Sequence, residues 1–372
     1  MLSPATEAEL SEAVAGATGP LRVTGGGTRP LGRPIAGEVL SVAGLTGVVL
    51  YDPGALTIVV RAGTPLDEVE ALLASEGQRL PFEPMDHRRL LGTAGTPTIG
   101  GVVAGNVSGP RRIQAGACRD CLIGVRFVDG SGTVVKNGGR VMKNVTGYDL
   151  VKLMAGSWGT LGVLSEVAFK VLPAPAAAAC LRIEGLSDPQ AVEAMATALG
   201  SPFEVTGAAH LPGEVPLTVL RLEGFAASVA YRAGRLAEVL AAFGAVRVED
   251  DAGQVAEDWR RVRDVEGFAD RPGDIWRVSV KPSDGPAIGK RSGGEVMYDW
   301  GGGLIWALVP EGTDLRARLG EFAGHATLIR ASQETRARIA PFQPEAAPVA
   351  ALAAGLRAKF DPRGILNPGL MG

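Results

Sequence analysis

Three glycine-rich turns decide the fold of this chain: Thr98-Ile99-Gly100-Gly101, Asn106-Val107-Ser108-Gly109 and Gly156-Ser157-Trp158-Gly159-Thr160-Leu161-Gly162. They lie between apolar segments within residues 96–172. Glycine tolerates positive φ and lets bare backbone approach a ligand, and successive N–H groups in a turn form a concavity that binds anions. A chain that repeats this pattern among Ser, Thr and Asn side chains is predicted to wrap a large phosphate-bearing cofactor.

Length, charge and cysteine content narrow the class of protein. A chain of 372 residues exceeds a typical single core, so two domains are expected. The formal charge of −3 argues against a nucleic-acid partner, because affinity for phosphate backbones comes mainly from an excess of Lys and Arg. No apolar run reaches the roughly 18–20 residues of a transmembrane segment, and no signal-peptide pattern opens the chain. Three cysteines are too few for a disulfide framework, which favours a cytoplasmic location.

Short strands and short helices alternate without a long βαβ rhythm, which favours an α+β fold. Thr64 is predicted to cap a helix that ends at Gly77, and Thr98 to cap a short helix through Ala104. Further helices are predicted over 5–16, 149–155, 226–243 and 346–359, and strands over 21–23, 48–50, 56–61, 122–128, 133–135, 163–171, 180–183, 217–222, 275–280 and 304–309. The Pro/Ala-rich segment 173–179 is the best candidate for a domain boundary.

Other motifs give weaker signals. Gly25-Gly26-Gly27-Thr28 follows a strand, but the chain has neither the G-x-G-x-x-G nor the P-loop pattern, and alone this turn is equally consistent with a surface loop. Cys118-x-x-Cys121 supplies two of the four ligands of a structural zinc site, so incidental cysteines are favoured. The three histidines (His87, His210 and His325) lack metal-ligand spacing. We therefore predict no metal site and assign no catalytic residue.

Several segments resemble the FAD-binding domain of the vanillyl-alcohol oxidase (PCMH-type) flavoproteins. The resemblance rests on Val23-Thr-Gly-Gly-Gly-Thr28, Thr98-Ile-Gly-Gly101, Asn106-Val-Ser-Gly109, Trp158-Gly-Thr-Leu-Gly-Val163 and the ending from Phe360-Asp-Pro to Asn367-Pro-Gly369. Within that family, Ser108-Gly-Pro-Arg-Arg112, the stretch 139–149 and the stretch 153–162 resemble the E subunits of bacterial glycolate oxidases. Residues 1–172 carry the resemblance densely, whereas 176–345 match by size and position.

The resemblance implies non-covalent FAD, because no histidine lies near the first glycine loop. It implies two α+β subdomains that hold the cofactor over residues 1–172, a smaller α+β cap domain over 173–345, and a C-terminal segment, 346–372, that returns to the FAD domain. The implied cofactor residues are Gly25, Gly26, Gly27 and Thr28 at the diphosphate, Pro97, Thr98, Gly101, Asn106 and Ser108 opposite them, and Gly159, Gly162 and Val163 near the adenosine.

One stretch departs from the catalytic members of the family, which carry H-x-G-D-G-N-x-H in the cap. The comparable stretch here is Tyr298-Asp-Trp-Gly-Gly-Gly-Leu-Ile-Trp306, which has no histidine. It therefore lacks an imidazole as general base or as nitrogen ligand for a metal. Arg111, Arg112 and Lys143 remain as positive charges for a carboxylate, with a solvated surface or a partner contact as equal alternatives.

The function that the resemblance implies is that of an FAD-binding subunit of a glycolate oxidase (glycolate dehydrogenase) complex, which oxidises the 2-hydroxy acid glycolate to glyoxylate. The implied partners are a catalytic flavoprotein D subunit and an iron–sulfur F subunit, at the inner membrane or in the cytoplasm. Two alternatives stay open. One is a free-standing FAD-dependent 2-hydroxy-acid dehydrogenase whose base is not histidine, and the other is a non-catalytic flavin-bearing or structural subunit that stabilises a catalytic paralogue.

Overall fold

The computed structural model describes residues 1–139 and 147–371, so Lys143 and most of the stretch 139–149 lie outside the described residues. In the N-terminal half, which we define as residues 1–173, the helices are α1 (Glu7–Ala15), α2 (Leu66–Ser75), α3 (Arg88–Leu91), α4 (Ile99–Ala104), α5 (Arg112–Ala115), α6 (Cys118–Cys121) and α7 (Leu150–Met154). The strands are β1 (Leu21–Thr24), β2 (Glu38–Ser41), β3 (Val48–Asp52), β4 (Thr57–Arg61), β5 (Gln78–Arg79), β6 (Leu122–Val128), β7 (Val134–Gly138), β8 (Val163–Lys170) and β9 (Leu172–Pro173).

Among the described residues, the N-terminal half contains three sheets, of which one is the short antiparallel pair of β5 and β9. β1 and β2 pair in parallel, and the end of the chain returns beside them, because Leu21 N donates to Ile365 O at 2.7 Å and Asn367 N donates to Leu21 O at 3.0 Å. The second sheet is antiparallel, in the order β3-β4-β8-β6-β7. Helices α1, α4 and α7 pack against this second sheet.

The C-terminal half, residues 177–345, is built on one larger antiparallel sheet. Its strands are β10 (Ala177–Glu184), β11 (Gly207–Leu211), β12 (Leu217–Gly224), β13 (Val246–Glu249), β14 (Asp274–Val280), β15 (Glu295–Asp299), β16 (Leu304–Val309) and β17 (Gly324–Arg330). They lie in the order β13-β10-β12-β11-β15-β16-β14-β17. The helices that follow β9 are α8 (Asp188–Leu199), α9 (Ala226–Leu240), α10 (Ala252–Arg263), α11 (Gly285–Ser292), α12 (Leu315–Leu319), α13 (Gln333–Arg338) and, beyond this half, α14 (Ala347–Phe360).

The two halves share a buried core. Apolar residues of β14 and β16, such as Ile275 and Trp306, belong to the same buried cluster as Phe82 and Val102 of the N-terminal half. The opposite face of the large sheet is covered by helices, with Leu236 of α9 and Leu319 of α12 fully buried. One sheet face is therefore pressed against the N-terminal half, and a site between the halves draws residues from both.

Most predicted elements are present, and one prediction about a helix start was wrong. Thr98 caps α4, since its Oγ1 accepts from Gly101 N at 3.3 Å. Thr64 does not cap α2, which begins after Pro65 without a side-chain cap. The Thr64 hydroxyl instead donates to Arg61 O at 2.8 Å and accepts from Gly47 N at 3.0 Å, so it fixes the loop beside β4.

Candidate cofactor site

A cavity of about 510 Å³ lies in the N-terminal half, where the glycine turns converge. Its lining includes the segment 22–35, which begins within β1, the first turn of α4, the turn 158–164, and residues near the chain end such as Asn367 and Leu370. Gln333 and Arg336 of α13 close it from the C-terminal half. Segments far apart in sequence thus enclose one elongated space.

The turn Gly25–Thr28 presents free hydrogen-bond donors to this cavity. Within residues 1–139 and 147–371, the backbone N–H groups of these four residues donate to no protein acceptor. Backbone donors in folded proteins are nearly always satisfied by protein, water or ligand. Four successive donors in one turn suit the oxygens of a diphosphate, which accept several N–H bonds at once. The residues present therefore fit a dinucleotide cofactor.

Close backbone packing explains why this turn is built of glycine. A Cβ on Gly26 would lie 1.5 Å from the carbonyl oxygen of Thr96, and one on Gly25 would lie 2.5 Å from Thr98 Oγ1. Gly27 has φ +70°, and no atom lies within 4 Å of where its Cβ would stand. The turn is therefore pressed against the loop before α4 on one side and open on the other.

Asn367 joins the opposite wall to β1. Its Oδ1 accepts from Val23 N at 2.8 Å, and its Nδ2 donates to Trp158 O at 2.8 Å. Gly162 lets the turn before β8 approach β6, because a Cβ there would lie 2.5 Å from the ring of Phe127. The Asn-Pro-Gly ending thus holds the turn 158–162 at the cavity wall.

The structure brings together nine of the twelve residues predicted to hold the cofactor. The nine that line the cavity are Gly25, Gly26, Gly27, Thr28, Thr98, Gly101, Gly159, Gly162 and Val163. Pro97, Asn106 and Ser108 are not part of the lining. Asn106 Oδ1 accepts from Arg119 N at 3.0 Å and Ser108 Oγ accepts from Cys118 N at 2.9 Å, so both tie their loop to α6.

Arginines around the cavity were missed by the sequence reasoning. Arg22, Arg29, Arg33 and Arg336 all line it. Burial lowers the pKa of Arg29 to about 10, against the opposing influence of Cys118 and Asp86. Arg29 and Arg33 directly follow the first glycine turn, which was a usable signal, whereas nothing near Arg336 in the sequence connects it with this site. These cations suit a cofactor that carries phosphate.

His87 lies near this site but outside the cavity lining. Burial, followed by the charge of Arg29, lowers its pKa to about 3, so the imidazole is neutral at physiological pH. Its Nδ1 lies 3.3 Å from Met85 O. His87 is thus a buried neutral side chain next to a cation.

A buried ion network joins the two halves. Arg111 donates to Glu223 at 2.6 and 2.9 Å, Arg79 donates to Glu223 at 2.8 Å, and Arg221 donates twice to Glu83 at 2.9 Å. Burial alone would raise the pKa of Glu223, but the hydrogen bond from Arg111 and the arginine charges hold it well below its usual range. Arg111 is therefore a docking contact between the halves.

The histidine-free stretch 298–306 forms a tight turn at the same junction. Asp299 is buried, and its carboxylate accepts from Trp300 N at 2.7 Å. Burial raises the pKa of Asp299 to about 7, with Glu83 acting in the same direction and Arg221 and Arg277 opposing. The sequence reasoning missed this carboxyl, which is the group of the stretch able to exchange a proton near neutral pH.

The cysteines lie in the core. Cys118, Cys121 and Cys180 are buried free thiols, and burial raises the pKa of Cys121 to about 11. In the part of the chain that the structure describes, no three His, Cys, Asp or Glu side chains are grouped as metal ligands would be. Cys118 and Cys121 belong to the same apolar cluster as Phe82.

Comparison with known proteins identifies the family. Residues 1–138 match a family model described as an FAD binding domain. Over 366 residues the chain is 37% identical to glycolate oxidase subunit GlcE of Escherichia coli (strain K12), which covers 98% of this chain and 95% of that protein. The chain belongs to the GlcE family. The predicted resemblance and the predicted FAD cofactor are thereby confirmed, and the chain is a member of a family of FAD-binding oxidoreductases.

Other relatives match a part of this GlcE-family chain. Glycolate oxidase subunit GlcD of Bacillus subtilis (strain 168) is 34% identical over 40% of this chain and 30% of that protein. D-lactate dehydrogenase of Anaerostipes hadrus is 32% identical over 41% of this chain and 31% of that protein. A solved structure of alkyldihydroxyacetonephosphate synthase superposes with a TM-score of 0.72 at 16% identity, over 98% of this chain and 76% of that one. This likeness confirms the α+β fold.

Within residues 1–139 and 147–371, no helix combines the length and the apolar character that a membrane crossing requires.

Proposed function

We propose that this chain is the FAD-binding subunit of a glycolate oxidase complex, which oxidises glycolate to glyoxylate. The observation that carries the proposal is the 37% identity to GlcE across 98% of the chain. The proposed partners are a paralogous flavoprotein, supported by the partial match to GlcD, and an iron–sulfur subunit. In this proposal the chain lies in the cytoplasm or at the inner membrane through its partners.

The proposed cofactor contacts follow the cavity. The N–H groups of Gly25–Thr28 hold the diphosphate, and Thr98 and Gly101 line it from the other side. Gly159, Gly162 and Val163 lie at the adenosine end. FAD, when bound, supplies the two-electron acceptor for oxidation of an alcohol. Binding is non-covalent in this proposal, in keeping with the position of His87 outside the cavity lining.

A free-standing 2-hydroxy-acid dehydrogenase is the second candidate function, and Asp299 favours it. A general base works best when its pKa lies near the operating pH, and the pKa of Asp299 is raised to about 7. In this candidate function the carboxylate takes the place of the histidine base. The two functions differ in whether the chain alone is reduced by substrate.

The test is anaerobic flavin reduction. The purified chain, loaded with FAD, is mixed with glycolate or D-lactate, alone and after assembly with the flavoprotein and iron–sulfur subunits. Bleaching of the flavin that needs the partners is the expected result. Bleaching at turnover rates by the chain alone establishes the free-standing dehydrogenase. Bound flavin that bleaches under neither condition indicates a non-catalytic subunit, and a chain that takes up no FAD refutes both functions.

A further inference from the structure

Two guanidinium groups meet at one tryptophan at the junction of the halves. Arg112 of α5 places its Cζ 4.7 Å from the centroid of the Trp300 ring, and Arg277 of β14 places its Cζ 4.9 Å from it. The indole N–H of Trp300 donates to the carbonyl oxygen of Gly109 at 3.2 Å. The ring is therefore fixed to the N-terminal half, and one cation from each half converges on it.

Neither cation has a carboxylate partner within the described ranges. There, no ion pair or side-chain hydrogen bond involves Arg112 or Arg277, and residues 140–146 contain neither Asp nor Glu. The adjacent Arg111, by contrast, is paired with Glu223. Burial lowers the pKa of Arg277 to about 10, and the charge of Arg112 acts in the same direction. Both arginines are half-buried, so their guanidinium groups are partly desolvated yet open to a ligand, and a bound anion would stabilise this pair of like charges.

The other titratable groups that face Arg277 do not supply that anion. Burial, then the charges of Arg277 and Arg112, lower the pKa of His325 on β17, so that imidazole is neutral. His87 is neutral for a similar reason, with Arg29 and Arg277 both opposing its protonation. Asp299 is the one described carboxyl that acts on Arg277, and its own hydrogen bond comes from Trp300 N. The region thus keeps a positive excess.

This region also lies next to the cofactor cavity. Leu31 lines the cavity and belongs to the apolar cluster against which Trp300 packs. One apolar cluster thus joins the cofactor cavity to the place where the two arginines meet. Position and charge together suit a small anion.

We propose that Arg112 and Arg277 bind the carboxylate of a small organic acid, of the size of a 2-hydroxy acid, beside the cofactor cavity. The identity of the acid rests on the proposed function. A guanidinium offers paired N–H donors that match the two oxygens of a carboxylate, and an aromatic ring beneath it fixes its plane. Because each half contributes one arginine, the site is complete only when the halves are docked.

The experiment titrates the FAD-loaded chain with glycolate and with oxalate, which has no alcohol to oxidise. Flavin difference spectra and tryptophan fluorescence report binding. Arg112→Met and Arg277→Met are compared with Arg316→Met, which removes a guanidinium stacked 4.9 Å from the Trp276 ring at another place in the C-terminal half. We expect the dissociation constants of both acids to rise at least tenfold in the first two variants and to stay unchanged in the third.

Several outcomes would overturn the site. Equal affinity in all variants does so, and so does loss of partner assembly with acid binding intact, which would mean that the arginines hold a carboxylate of a partner subunit. If Arg277→Met does not fold, Arg277→Lys keeps the charge but loses the paired donors, and acid binding should weaken severalfold. Unchanged binding in Arg277→Lys, with FAD content intact, then counts against the site.

The assembled complex separates this inference from the proposed function. If the wild-type complex oxidises glycolate and the KM for glycolate is unchanged in Arg112→Met and Arg277→Met, the carboxylate site is wrong and the proposed function stands. If the chain binds the acids through these arginines but the wild-type complex does not oxidise glycolate, the site stands and the proposed function is wrong.

Discussion

The substitution Glu223→Gln tests the buried ion network between the halves. The Glu223 side chain is 4% exposed and accepts hydrogen bonds from Arg79 and Arg111, while Arg221 pairs with Glu83 beside it. Glutamine keeps the shape of the side chain and removes one negative charge. Three arginines would then face one carboxylate.

The expected cost follows from that burial. Removing one partner of a buried pair costs about 3–5 kcal/mol, because the remaining charge stays desolvated. Glutamine still offers one acceptor oxygen, so we expect a loss near 3 kcal/mol in the free energy of unfolding. The matched control is Glu184→Gln in an exposed pair with Arg247, whose side chains are 53% and 77% exposed. Exposed pairs contribute about 0–1 kcal/mol.

Urea unfolding followed by tryptophan fluorescence measures both variants, and a pH series gives a second readout. Because the folded-state pKa of Glu223 is depressed, its stabilisation is present above the ordinary value of 4.5 and is lost as the pH falls toward the folded value. Glu223→Gln should lack this loss in acid. Equal urea midpoints for Glu223→Gln and Glu184→Gln would refute the assigned role, as would a variant that keeps the wild-type acid slope.

Three further predictions concern the cofactor turn and two buried titratable groups. Gly26→Ala places a Cβ 1.5 Å from Thr96 O and should weaken FAD binding at least tenfold in a flavin fluorescence titration, whereas Gly19→Ala, in open space, should not. In the wild type, the free energy of unfolding should fall as the pH rises from 3.8 to about 7, because the folded Asp299 carboxyl holds a proton that the unfolded chain has lost. Asp299→Asn should remove this fall. His87 gives the opposite pH dependence. Its folded pKa is lowered to about 3, so the free energy of unfolding of the wild type falls as the pH drops below 6.5, and His87→Gln should remove this fall. Urea midpoints across pH check both titrations, and wild-type slopes in Asp299→Asn or His87→Gln would contradict them, as would unaltered FAD affinity in Gly26→Ala.

Local signals predicted the elements of the N-terminal half well. The hairpin of β6 and β7 and the cap at Thr98 are decided by residues within a few positions of one another, and both are present. Thr64 failed because its hydroxyl is engaged by Gly47 N and Arg61 O, and contact with Gly47 depends on how β3 and β4 pair. A cap signal is thus outweighed when tertiary structure provides another partner.

The cofactor site was predictable where its residues lie in glycine turns and unpredictable where they come from distant segments. The free donors of Gly25–Thr28 follow from the local sequence. Arg336 reaches the cavity from α13, about 300 residues later, and only the docking of the halves brings it there. Asn106 and Ser108 have the polar side chains that a cofactor contact needs. In the structure, however, these side chains accept hydrogen bonds from backbone N–H groups of α6.

The run Gly301-Gly302-Gly303 belongs to the turn that follows Asp299. Trp300, Gly301 and Gly302 have φ of +54°, +66° and +100°, a succession of left-handed residues that glycine adopts at little cost. A Cβ on Gly302 would also lie 2.8 Å from Val192. The turn sends the Trp300 ring across the junction to Gly109 O, directly after the buried carboxyl of Asp299. The glycines thus position an indole that bears two arginines, an arrangement that suits the anion proposed above.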